Sequence, residues 1–164
     1  MKAQTVTIVG MNRVGVSIAR ALKASGAGLT VVGHDRIREL AQDAKEKLGA
    51  IDRVEWNLVT AAAGADILVL AVPLTELENT LVVIGEDVRP HTLVLDLGAL
   101  KAQGLRWADR YLQAGHYVGV VPVLSAAYLN EGRDEAAAAT ADLFRNSVFC
   151  LLPSAKDDPP AADR

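Results

Sequence analysis

The sequence predicts an α/β fold: a doubly wound parallel sheet in three α/β/α layers, with strand order 3-2-1-4-5-6. Three observations predict it. Short β-branched apolar runs alternate along the chain with amphipathic or alanine-rich segments, and strands alternating with helices imply parallel strands joined by right-handed crossovers. The run Ile67-Leu68-Val69-Leu70-Ala71-Val72 is apolar without interruption, as a strand covered on both faces requires. The first run, Val6-Thr7-Ile8-Val9, stops at Gly10 and is followed by Gly15 and a helical pattern. That strand–turn–helix unit opens the Rossmann-type fold.

The turn Gly10-Met11-Asn12-Arg13-Val14-Gly15 leads into a helix carrying Val16, Ala19 and Leu22. A helix starting at such a turn aims unpaired N–H groups and the positive end of its dipole at one point, which suits a pyrophosphate. The dinucleotide fingerprint G-x-G-x-x-G reads here Gly10-x-Asn12-x-x-Gly15. Gly10 permits the tight turn and Gly15 the close packing of helix on strand. Asn12 replaces the middle glycine, and asparagine tolerates the positive φ expected there. Arg13 is a candidate pyrophosphate contact, with an exposed helix arginine as the alternative, and Val14 belongs to the same binding turn. A second strand, Leu29-Thr30-Val31-Val32-Gly33, ends at His34-Asp35-Arg36. Asp35 occupies the place of the acid that binds the adenosine ribose hydroxyls; it also suits a helix N-cap. The expected cofactor is NAD, because a carboxylate repels a 2′-phosphate. Arg36 and Arg38 keep NADP in view.

Residues 36–48 read as an amphipathic helix, with Leu40, Ala44 and Leu48 at spacing four and Gly49 as its stop. Residues 51–57 read as a connector with a buried Trp56, and 58–63 as a short helix ended by Gly64. The third strand is the 66–72 run, ended by Pro73. Thr75 and Glu78 have capping-box spacing for a helix over 75–84. The fourth strand is Thr92-Leu93-Val94-Leu95-Asp96, followed through Leu97-Gly98-Ala99 by a helix over 100–113. The fifth is Tyr117-Val118-Gly119-Val120-Val121. Residues 134–144 are alanine-rich and read as helix, and 147–152 as a last strand. The chain divides into a dinucleotide-binding domain, 1–152, and a disordered tail, 153–164. In this fold ligands bind along the carboxyl ends of the strands. Those ends carry Gly10, Asp35, the Ala71-Val72-Pro73 corner, the Asp96-Leu97-Gly98 corner and Val121-Pro122.

A 164-residue chain of net charge −3 is long enough for one sizeable core and makes no electrostatic case for nucleic acid. No apolar run approaches the roughly twenty residues of a membrane-spanning helix, and Met1-Lys2-Ala3-Gln4-Thr5 enters the first strand directly, so no signal peptide is expected. Cys150 lies in an apolar run and reads as a buried small hydrophobe. A single cysteine forms no intrachain disulfide, and the expected location is cytoplasmic. Histidine and cysteine are too scattered for a metal site.

Several segments resemble one family in order and spacing. Gly64-Ala65-Asp66-Ile67-Leu68-Val69-Leu70-Ala71-Val72-Pro73 is similar to the GAD-(apolar)-AVP strand of prephenate and arogenate dehydrogenases. The turn from Val9 to Ser17 resembles that family's VGLGLIGGS, Val32-Gly33-His34-Asp35-Arg36 its VGYDR, and Asp96-Leu97-Gly98-Ala99-Leu100-Lys101 its D-x-GSVK. The segment from Tyr117 to Val123 resembles FVGGHPM, and Cys150-Leu151-Leu152-Pro153 a segment ending in LTP. The resemblance covers nearly the whole chain. It implies the NAD(P)-binding domain of an oxidoreductase of tyrosine biosynthesis. It also implies, as partner, a helical substrate-binding domain or chain, which the family carries after this region and before which this sequence stops. Three departures stand out: Asn12 replaces the middle glycine, Ala99 the active-site serine, and Val121 the catalytic histidine.

Oxidising an alcohol requires a hydride acceptor and a group that takes the proton, usually histidine near neutral pH. His34 falls at the adenosine end, while His91 and His116 precede strands on the opposite edge; all three read as solvated. Asp96 and Lys101 are the remaining catalytic candidates, against the alternatives of a helix cap and a solvated helix lysine. Ser125 and Tyr128 follow the fifth strand with nothing to activate them. The expectation is therefore a cofactor-binding part that is inactive alone. The alternative is a non-catalytic NAD-binding module, serving as redox sensor or as partner of another chain. A third reading is a structural protein of this fold with no cofactor.

Overall fold

The computed structural model describes residues 4–124 and 135–154. Among these residues seven strands form one sheet: β1 (Thr5–Val9), β2 (Thr30–His34), β3 (Arg53–Val54), β4 (Ile67–Leu70), β5 (Leu93–Asp96), β6 (His116–Val123) and β7 (Val148–Pro153). Five α-helices connect them: α1 (Arg13–Ala24), α2 (Arg38–Glu46), α3 (Leu58–Ala63), α4 (Leu74–Ile84) and α5 (Lys101–Tyr111). The order across the sheet is β3-β2-β1-β4-β5-β6-β7. The first six strands are parallel, and β7 runs antiparallel to β6.

The predicted order 3-2-1-4-5-6 holds, but its third member is not the 66–72 run. Arg53–Val54, inside the segment read as a connector, pairs with Val32 and Gly33. The 66–72 run instead becomes β4, beside β1. Two residues are too few to display a period of two, so β3 left no pattern to read.

Alternation along the strands divides the core between two faces. Ile8 packs with Val16, Ala19, Ala41 and Ala44 beneath α1 and α2. Its neighbour Val9 packs on the other face with Leu68, Leu77, Leu81 and Ile84 beneath α3, α4 and α5. Each fully buried Leu or Ile contributes about 1.5–3 kcal/mol by leaving water. The three-layer architecture follows from this division. On the first face, the part of the sheet over β4, β5 and β6 opens into an apolar groove of 480 Å³ lined by Ile18, Leu22, Leu95, Val118, Phe149 and Leu151, among others.

Several local expectations change. The alanine-rich 135–144 segment holds only a 3₁₀ turn, Ala136–Ala138, followed by turns. Ala139 O accepts a hydrogen bond from Arg20 Nη1 at 2.6 Å, and Thr140 N–H donates to Ser17 Oγ at 3.1 Å. Backbone groups fixed to α1 in this way are unavailable to a local helix, and five alanines are too few to nucleate one against that competition. Helix α4 begins at Leu74 behind Pro73, without a side-chain cap, so the Thr75–Glu78 box does not form. Trp56 is exposed rather than buried, lying beside the edge strand with the Arg38 guanidinium 5.6 Å from its ring. Cys150 is exposed as well, because β7 is the edge strand and every residue of it is exposed. The domain extends past 152: Pro153 belongs to β7, Ser154 N–H donates to Tyr117 O, and Ser154 Oγ donates to Asp109. The rest of the expected tail, 155–164, lies outside the described residues, as do Ser125 and Tyr128. No described helix is long and apolar enough to cross a membrane, and no described cluster of His, Cys, Asp and Glu could hold a metal ion.

Candidate functional site

The carboxyl ends of β2, β1 and β4 converge on the glycine turn. Gly10 adopts φ +102°, a conformation open to glycine and costly for other residues. A Cβ there would meet Ala71 O at 2.5 Å, and one on Gly15 would meet Gly10 O at 2.0 Å. Both glycines are therefore required by close backbone approach. Gly10 N–H donates to His34 O at 2.9 Å, and Ala71 N–H donates to Val9 O at 2.8 Å, so the turn is stitched to both neighbouring strands.

Asn12 does not play the part expected of it. Its φ is −79°, in the extended region, and it caps α1. Oδ1 accepts from Gly15 N–H at 3.0 Å, while Nδ2 donates to Ala71 O at 2.6 Å. The positive φ is confined to Gly10, so nothing at position 12 requires glycine-like backbone. The side chain instead ties the first turn of α1 to the end of β4. Among the described residues, the N–H groups of Asn12 and Val14 remain uncommitted, whereas those of Gly15 and Val16 go to Asn12. Those two, with the helix dipole behind them, are what the turn offers a phosphate.

Asp35 Oδ2 accepts from Met11 N–H at 2.7 Å and Oδ1 from Ile37 N–H at 2.8 Å. The carboxylate is thus fixed against the glycine turn, and the residue opens the segment before α2 without capping that helix, whose N-cap is Ile37. Arg13 is buried in the first turn of α1, not exposed. His34 is also buried, with Nδ1 2.9 Å from Glu55 O; the strand β3 and the residues after it cover the place where a solvated histidine was expected. Arg36 reaches from the end of β2 to Glu76 in the first turn of α4, at 3.0 Å. Glu76 escaped the sequence reading, although its position three residues after Pro73 placed it at this edge.

One strand further along, at the end of β5, Asp96 and Lys101 form a buried pair. Asp96 is fully buried and Lys101 nearly so. Lys101 Nζ donates to Asp96 O at 2.6 Å and lies 3.4 Å from Oδ2, while Oδ1 accepts from Gly98 N–H at 2.6 Å. Space for the carboxylate comes from glycines: a Cβ on Gly98 or Gly104 would lie 2.8 or 2.7 Å from its oxygens. Gly119 likewise makes room for the Lys101 stem, whose Cδ would be 2.9 Å from an added Cβ. Burial holds the Lys101 ammonium below its ordinary pKa, with Asp96 acting in the opposite direction. Burial first, and then Asp96, push the Tyr117 phenol up. The lysine is therefore not solvated, and both candidates for proton transfer are engaged with one another. Val121, at the position where the resemblance implies a histidine, lies exposed on β6.

The structure thus brings together Gly10, Asn12, Val14, Gly15, Asp35 and Ala71, with Val72 and Pro73 following Ala71 and Arg36 paired with Glu76. Gly98 lies apart from them, on the Asp96 turn.

The family model described as "Prephenate dehydrogenase, nucleotide-binding domain" matches residues 18–164. Prephenate dehydrogenase of Bacillus subtilis (strain 168) is 29% identical over 165 residues, spanning 98% of this chain and 42% of that protein. The chain is also similar to the crystal structure of prephenate dehydrogenase from A. aeolicus in complex with hydroxyphenyl propionate and NAD+. That likeness has a TM-score of 0.85 at 21% identity, over 99% of this chain and 55% of the other. Synechocystis arogenate dehydrogenase gives a TM-score of 0.84 at 21% identity, over 98% and 54%. At such identities the two structures speak to the fold. The chain spans less than half the length of the curated relative and about half of each solved one.

Proposed function

The chain belongs to the family of prephenate dehydrogenase nucleotide-binding domains, and on that premise we propose that it binds an NAD(P) dinucleotide across the carboxyl ends of β2, β1 and β4, with NAD preferred. One observation carries the proposal. Gly10 and Gly15 close the β1–α1 turn so tightly that a methyl group on either would strike backbone, and the N–H groups of Asn12 and Val14 beside this closure are uncommitted among the described residues. In this reading Asn12 and Val14 N–H, with Arg13 beside them, hold the pyrophosphate. Asp35 takes the ribose hydroxyls, and Arg36, Ala71, Val72 and Pro73 border the adenosine. Gly98 lies further along the edge toward the nicotinamide. When bound, the dinucleotide supplies a hydride acceptor. The family and the relatives support a role as the cofactor half of a dehydrogenase acting on prephenate or arogenate, completed by a helical substrate-binding domain or chain.

The alternative of a non-catalytic NAD-binding module draws support from a separate observation. Asp96 and Lys101 are buried in a pair with each other, and the positions resembling the family's serine and histidine hold Ala99 and Val121. Titration of NAD into the protein, read by calorimetry or by Trp56 and Trp107 fluorescence, tests the common core of both readings. Saturable binding is expected below millimolar NAD, and its absence overturns them. Adding a helical substrate-binding chain then separates the two: turnover identifies a cofactor half, and persistent inactivity a binding module.

A further inference from the structure

We propose that Glu76 sets the preference for NAD over NADP by holding Arg36 away from the 2′-phosphate position. The proposal rests on the dinucleotide reading above and adds a determinant to it.

Arg36 follows β2 and Glu76 follows β4, and these strands flank β1. A 3.0 Å ion pair between the two residues therefore links the segment after β2 to the first turn of α4, on either side of β1. Arg36 is the cation adjacent to Asp35, and an arginine at this place is what accommodates a 2′-phosphate in dinucleotide folds. The Arg36 side chain is 77% exposed and that of Glu76 36%, so the pair is a surface one and its release is a several-fold effect on affinity, no more. Arg38, the other nearby cation, lies over the Trp56 ring. Asp35 itself is pinned by two backbone N–H groups and cannot rotate away without breaking both. A 2′-phosphate would meet a fixed carboxylate with each neighbouring arginine already engaged. Glu76 does two things here: it adds a negative charge to the adenosine rim, and it draws Arg36 toward α4. NAD, lacking the phosphate, is indifferent to both. Glu76 is thus a positioning residue that acts through Arg36.

Glu76 is half-buried in the first turn of α4, and Glu76→Gln preserves shape and helix propensity, so the variant keeps the fold. The experiment measures NAD and NADP dissociation constants for four proteins: the parent, Glu76→Gln, Arg36→Ala and the double variant. Glu76→Gln should tighten NADP by about three- to ten-fold, the scale of one released surface charge pair and one removed repulsion, with NAD within about two-fold of the parent. In the Arg36→Ala background the same substitution should change NADP far less. An unchanged NADP-to-NAD ratio in Glu76→Gln, with NAD still bound, overturns the Glu76 role and leaves the dinucleotide reading standing. An equal gain in the Arg36→Ala background also overturns it, since Glu76 would then act by charge alone. Failure of the parent to bind either nucleotide overturns both readings together.

Discussion

At the residue scale, the site depends on side chains that hold backbone in place. Asn12 satisfies Gly15 N–H and Ala71 O at once, so it is both a helix cap and a link from β1 to β4. Asn12→Ala should lower stability by about 1–2 kcal/mol. Asn12→Gly keeps a tolerable cap but loses the Ala71 bond, and should cost about 1 kcal/mol. Urea midpoints measure both, and a neutral Asn12→Gly would mean that the link is not used. The Asp96–Lys101–Tyr117 cluster makes the alkaline side of the stability profile informative. Lys101 has a folded pKa below 10.5, so between those values the unfolded chain binds more protons, and stability rises as pH climbs toward 10.5. Tyr117 has a folded pKa above 10.0, so its contribution is complete below pH 10 and is lost above it, where unfolding releases a proton that the fold retains. Tyr117→Phe should flatten the fall in urea midpoint above pH 10. A fall as steep as the parent's would refute this assignment. Lys101→Met, which strands the Asp96 carboxylate, should cost about 3–5 kcal/mol near neutral pH.

At the element scale, the contact between α1 and β1 decides whether a binding turn exists. Gly15 lies in the first turn of α1, and any Cβ there collides with Gly10 O. Because the obstacle is backbone, the helix itself must move. Gly15→Ala should therefore destabilise by about 1–3 kcal/mol or more and abolish nucleotide binding in whatever protein remains folded. Gly26 provides the contrast. It also has positive φ, but nothing lies within 4 Å of an added Cβ. Gly26→Ala should cost only the conformational strain of about 1–2 kcal/mol and leave nucleotide binding intact. Equal effects of the two substitutions on binding would show that the close approach is not what shapes the site.

At the scale of the whole molecule, the sheet edge proposed to hold the dinucleotide presents no free histidine among the described residues. Among the described residues, His34 is buried beneath Glu55, and His91 and His116 lie at or before the starts of β5 and β6, on the edge opposite the site. Asp96 and Lys101 neutralise each other. The 164-residue polypeptide on its own should bind NAD yet form no NADH from prephenate or arogenate across the pH range. General acid–base catalysis alone accounts for about a hundred- to ten-thousand-fold in rate, and orientation by a closing domain for several kcal/mol more. NADH absorbance measures this directly. Turnover by the isolated polypeptide would mean that a working base is present, with Asp96 and Lys101 the first residues to substitute.

The sequence by itself determined the α/β sheet and the order of its strands. Apolar runs longer than three residues, glycines in register and an acid at the end of the second strand are local signals, and local signals survive in a single chain. It did not reveal β3, because two residues carry no period. Nor did it show that the 135–144 segment forgoes a helix, because the competitors are Arg20 and Ser17, more than a hundred residues away. Only the tertiary structure decided the fates of the polar residues. Asn12 is a cap and not a bent turn because Ala71 O lies within reach of its amide. Lys101 is buried because Gly119 leaves a channel for its stem, and Cys150 is exposed because its strand is the last in the sheet. A side chain's role depends on what stands opposite it, and strand neighbours such as β1 and β4 are far apart in sequence. Patterning can therefore say which residues face a layer, while their partners are settled only when the layers meet.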